Sequence, residues 1–115
     1  MFALTVRFDL SDEAAAAAFD ALAAQTAADV RALEPDTLTC AVHSVEGEPL
    51  ARVFYEAYRD RAAFEVHGSQ PHTQQFFAHS ADLVVRTRLE FRHPHEPAIQ
   101  TRPASGSPRT ATPKS

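Results

Sequence analysis

The sequence has 115 residues and a mass of 12.6 kDa, which leaves room for one modest hydrophobic core and excludes a second folded domain. Hydrophobic residues at 44% and charged residues at 23% are ordinary globular values, and the longest apolar run, residues 14–19, is too short and too alanine-rich to cross a bilayer. Residues 1–96 carry eight arginines against fifteen acids, so there is no basic face for phosphate and nucleic acid is not expected as the main partner.

Arg7 and Asp9 interrupt the first apolar segment, which does not suit a secretory leader. The expectation is a cytoplasmic protein with no membrane partner. The single cysteine, Cys40, cannot form an internal disulfide and sits in a strand-like stretch, where a small buried residue is expected rather than a reactive thiol.

Phe2, Leu4, Val6, Phe8 and Leu10 alternate with polar or small residues, the period of a strand with one apolar face. Ser11 is expected to cap the following helix, with Asp12 and Glu13 in its first turn. Phe19, Leu22, Thr26, Val30 and Leu33 form its buried stripe, and Pro35 ends it. Thr37 to Val45 and residues 52–59 read as two strands joined by a turn at residues 46–49, hence an antiparallel hairpin. Asp60 is positioned to cap a short helix over 61–67 that Gly68 would end in a left-handed conformation. A further helix is predicted from about Pro71 to Ser80, and a long last strand carries Leu83, Val85, Thr87, Leu89 and Phe91 on one side. Residues 97–115 hold four of the eight prolines and little apolar surface, and are expected to be a disordered tail to a domain of residues 1–96.

The order β-α-β-β-α-β predicts an α+β, ferredoxin-like fold, a four-stranded antiparallel sheet with its helices on one face. The other face is expected to be open, with Thr5, Arg7, Phe54, Glu56, Tyr58, Arg86 and Arg88 on it. A second copy of the chain is the simplest cover, so a homodimer is expected.

The run from Arg52 to Phe77 resembles the signature of the antibiotic biosynthesis monooxygenase family: Glu56-x-Tyr58 on a strand, His67 on a helix, then Pro71-His72 and the aromatic Phe76. The preceding Leu33-Glu34-Pro35 resembles that family's link between first helix and second strand. The resemblance implies a dimeric α+β barrel that adds dioxygen to a quinol-like or phenolic aromatic without metal, flavin or other cofactor. A binding barrel without catalysis and an isomerase are the alternatives that it leaves. The heme-degrading branch uses Trp and Asn, and this chain has neither; the polyketide branch has polar groups where Phe54, Tyr58 and Phe64 stand here. The pattern is nearer to the small quinol monooxygenases.

Candidate catalytic residues are His67, His72 and Glu56: a base to make the substrate anion, and an acid that must meet a donor if buried. Phe54, Tyr58, Phe64 and Phe76 are candidates for the substrate-binding wall, and Arg7 for stabilising the anion. A metal site is not expected, because the two histidines are not spaced as helical ligands and no third ligand is near in sequence. The acidic body predicts no salt-sensitive retardation by duplex DNA or RNA in a gel assay at physiological ionic strength; retardation at submicromolar protein would contradict it.

Overall fold

The computed structural model describes residues 1–95, so the tail expected over 97–115 lies outside the described residues. The elements in chain order are β1 (Phe2–Leu10), α1 (Glu13–Leu33), β2 (Thr37–Val45), β3 (Glu48–Tyr58), α2 (Arg61–Ser69), α3 (Pro71–Ser80) and β4 (Val84–Arg92). The strands form one sheet in the order β2-β3-β1-β4 with every neighbouring pair antiparallel, the ferredoxin-like topology. The expected second helical region is two helices, α2 and α3, that meet at Gln70 and Pro71.

Central position explains the composition of β1. Phe2, Leu4, Val6, Phe8 and Leu10 are all buried against the helices, while Thr5, Arg7 and Asp9 point to the other face. Phe8, Phe19, Phe54 and Phe76 come from β1, α1, β3 and α3, and every pair among them has ring centroids between 5.1 and 6.0 Å apart. Tilted and edge-on contacts at this distance add to the gain from burying the rings. A second aromatic group joins Phe2, Tyr58, Phe64 and Phe91.

Register corrects one expectation. Phe54, Glu56 and Tyr58 stand opposite Val6, Leu4 and Phe2, and directly opposed residues share a side, so all three face the helices rather than the open side. The open face carries Val53 and Tyr55 instead, with Thr5, Arg7, Arg88 and Glu90. Both residue sets of β3 are largely apolar, so its own alternation does not decide which one is inside.

Three local features also differ. Asp12, not Ser11, caps α1: its side chain accepts from the Ala15 amide at 2.8 Å, while the Ser11 amide bonds the Leu83 carbonyl. Gly68 lies within α2 and is not left-handed; among the described residues Gly47 alone has a positive φ, in the β2–β3 hairpin. Leu33 is exposed at the end of α1, and its neighbour Glu34 is buried in its place.

Phe19 has no exposed surface and touches the other three rings of its cluster. Phe19→Ala is therefore expected to lower unfolding stability by about 3–5 kcal/mol in urea denaturation, with the fold retained. A loss below about 1 kcal/mol would mean that the cluster does not organise the core.

Candidate functional site

A cavity of about 210 Å³ lies between the sheet and the helices, and all seven elements contribute to its wall. Its lining is mainly apolar: Leu4, Val6 and Phe8 from β1, Phe54 from β3, Phe64 from α2, Phe76 and Phe77 from α3, and Leu89 from β4. Glu56 and His67 are the carboxylate and imidazole of the lining, with Cys40 and three threonines as its other polar side chains. A concave, largely apolar space with few polar groups is the usual form of a small-molecule site.

Behind His67 lies a polar cluster that the pairing of His67 with His72 only half reveals. Glu34, at the end of α1, is 5% exposed. Its Oε1 accepts from the Thr37 hydroxyl at 2.7 Å and lies 2.8 Å from His67 Nδ1, while its Oε2 lies 2.5 Å from His72 Nε2. Burial alone would raise the Glu34 carboxyl, but the hydrogen bonds from Thr37, His72 and His67 outweigh it and hold the group below its ordinary range. Glu34 is thus a carboxylate that only accepts, and each imidazole must turn an N–H toward it. In neutral His67 the proton is on Nδ1 and the lone pair is on Nε2, which faces Glu56 Oε1 across 3.9 Å.

Glu56 meets its donor on its own strand. Tyr58, with no exposed surface, donates its hydroxyl to Glu56 Oε1 at 2.5 Å. Burial first, and then the adjacent Glu56 carboxylate, push the phenol far above its ordinary range, so Tyr58 keeps its proton and serves as a donor. In space the order is His72, Glu34, His67, Glu56, Tyr58, with a hydrogen bond at every step except His67 to Glu56.

Of the residues singled out in the sequence, Glu56, His67, Phe54, Phe64 and Phe76 line the cavity. His72 and Tyr58 do not; each is buried one step back, against Glu34 and Glu56. Arg7 is a correction. It stands on the opposite face of the sheet, paired with Asp9 at 3.0 Å and Glu48 at 2.5 Å, because odd-numbered positions of β1 point away from the helices. Glu34 was not singled out as a site residue. Two histidines and a threonine within reach of one helix end are the signal that could have found it. Among the described residues no three His, Cys, Asp or Glu side chains are arranged to hold a metal ion, and no helix is long and apolar enough to cross a membrane.

The sequence matches the family model described as antibiotic biosynthesis monooxygenase over residues 1–79. The chain belongs to the antibiotic biosynthesis monooxygenase family. Its fold is shared with a Bacteroides thetaiotaomicron protein named provisionally as such a monooxygenase, at TM-score 0.78 and 21% identity, covering 88% of this chain and 95% of that one. A Mycobacterium tuberculosis protein matches at TM-score 0.75 and 23% identity, covering 84% and 97%. A Shewanella oneidensis protein is 27% identical at TM-score 0.71, covering 80% and 89%. No curated protein sequence matches significantly. The family and the cavity together mark this as a small-molecule site, in a fold shared with proteins named provisionally as antibiotic biosynthesis monooxygenases.

Because the folded-state Glu34 carboxyl is depressed, its ionisation stabilises the fold above its ordinary value of 4.5, and that contribution disappears as pH falls through the lowered folded value. Glu34→Gln is expected to cost about 1–3 kcal/mol at neutral pH, since it leaves buried donors mismatched. The gap between wild type and variant should close as pH is taken below 4.5 in urea denaturation. A gap that stays constant would show that the Glu34 charge does not contribute.

Proposed function

We propose that the protein is a cofactor-independent monooxygenase that oxidises a quinol-like or phenolic aromatic with dioxygen, working as a homodimer. The observation that carries this reading is the orientation of His67: Glu34 holds Nδ1–H, so the basic Nε2 lies on the Glu56 side, where both residues line the apolar cavity. His67 takes the proton of a substrate hydroxyl, and Glu56 anchors a second hydroxyl or orients the first. The resulting arenolate is electron-rich enough to reduce dioxygen itself, so the reading calls for no metal or flavin. One oxygen atom enters the ring, the other leaves as water, and the substrate supplies the electrons as it passes from quinol to hydroxyquinone. The apolar walls keep the anion and its oxygen adduct away from water.

His72 and Tyr58 act through other groups in this scheme. His72 helps keep Glu34 charged and fixed, and Tyr58 fixes Glu56; both are positioning residues. Arg7 has no part in it. The homodimer rests on the open sheet face, where Val53 and Tyr55 stand among Arg7, Arg88 and Glu90 with no covering layer among the described residues. The His67–Glu56 pair also suits proton transfer between two atoms of a ligand, which is the isomerase reading; that reaction consumes no oxygen.

Oxygen uptake with a panel of hydroquinones, without added metal or flavin, tests the reading directly. His67→Ala is expected to lower turnover by about two to four orders of magnitude, far beyond what its loss of one Glu34 partner costs in thermal stability. His72→Ala should lose much less turnover for a comparable loss of stability, because it also removes a partner of Glu34 but leaves the cavity wall intact. Equal turnover of wild type and His67→Ala would remove His67 as the base, and absence of oxygen uptake across the panel would remove the monooxygenase. Sedimentation at micromolar protein should give twice the chain mass; a clean monomer would remove the homodimer.

A further inference from the structure

The hydrogen-bonding sense of the cavity's polar groups restricts what can bind there. Among the lining residues there is no arginine or lysine. The Glu56 carboxylate is an acceptor, and Nε2 of His67 is a second one in the neutral ring, whose one N–H is directed to Glu34. The nearest strong donor, the Tyr58 hydroxyl, is already engaged by Glu56. The Thr26 hydroxyl donates to the Leu22 carbonyl at 2.9 Å, and the hydroxyls of Thr73 and Thr87 can serve in either sense. The Cys40 thiol is only a weak donor.

We infer that the cavity selects its ligand by hydrogen-bond polarity and charge, taking neutral arenes that present hydroxyl donors and rejecting their O-methylated and carboxylated counterparts. An ether places an oxygen lone pair against Glu56 and His67 and leaves His67 Nε2 and the Glu56 oxygen not held by Tyr58 without a donor. A carboxylate adds a negative charge beside Glu56, in an apolar space with no counter-cation. The hydroxyquinone product carries carbonyl oxygens where the quinol had its two hydroxyl donors and keeps only the newly added hydroxyl, so oxidation weakens the contacts that held the ring and the site favours its release. The inference deepens the reading of His67 and Glu56 as the polar end of the substrate site, and it concerns binding alone.

Isothermal titration of the full chain under anaerobic conditions, with hydroquinone, its dimethyl ether and para-hydroxybenzoate, tests this without any turnover. Hydroquinone should bind at least about tenfold tighter than either of the others. In Glu56→Gln the amide supplies a donor and removes the charge, so the ratios should fall to within about threefold and para-hydroxybenzoate should gain most. The wild-type series decides the matter even if the variant does not fold. Binding of the ether or of para-hydroxybenzoate within about threefold of hydroquinone would overturn the selection rule, as would failure of hydroquinone to bind up to its solubility limit. Selective anaerobic binding without oxygen uptake upholds the rule and removes the monooxygenase. Oxygen uptake equally fast with hydroquinone and para-hydroxybenzoate overturns the rule and leaves the monooxygenase standing.

Discussion

The Glu34 carboxylate takes hydrogen bonds from Thr37, His67 and His72, and thereby fastens the end of α1 to the start of β2, to α2 and to α3. A buried charge is costly unless its lone pairs are matched, and three donors from three elements meet that condition. The same three bonds set which nitrogen of His67 is basic. Stability and the proposed chemistry therefore share one group: whatever weakens the junction between these elements also frees the imidazole to rotate. Aromatic packing is organised differently, since Phe54 and Phe76 belong to the four-ring cluster and also wall the cavity. The cavity is a place where the core stops short of filling itself.

Much of the fold was legible in the sequence because β1 alternates so cleanly. A strand with Phe2, Leu4, Val6, Phe8 and Leu10 on one side admits one inward face, and the hairpin and helix signals around it leave few topologies. Inward and outward residues of β3 were not legible, because Val53 and Tyr55 are as apolar as Phe54 and Tyr58 and only pairing with β1 separates them. The cap of α1 was misplaced by one residue for a related reason: Ser11 and Asp12 both have the right side chain, and the tie of the Ser11 amide to Leu83 decides between them.

Site residues follow the same division. His67 and Glu56 stand out locally, as ionisable groups in segments otherwise suited to burial, and they reach one cavity. Glu34 was hidden by its surroundings, since a glutamate at a helix end next to proline ordinarily faces water, and its burial depends on histidines more than thirty residues away. Arg7 failed as a site residue by parity alone: one position along β1 moves a side chain through the sheet.

Cys40 illustrates what an apolar, acid-lined environment does to a nucleophile. Burial, with Glu56 and Glu34 nearby, pushes its thiol up to about 12. At neutral pH the thiolate share is then far below the few per cent of a free cysteine. Thiolate is the species that alkylating agents capture, so a sulfur in the wall of this chamber is shielded from electrophiles that share the space with it. For the proposed oxidation this makes the chamber durable: the thiol in its lining stays protonated, and a reactive molecule can pass through many times without leaving an adduct on the wall.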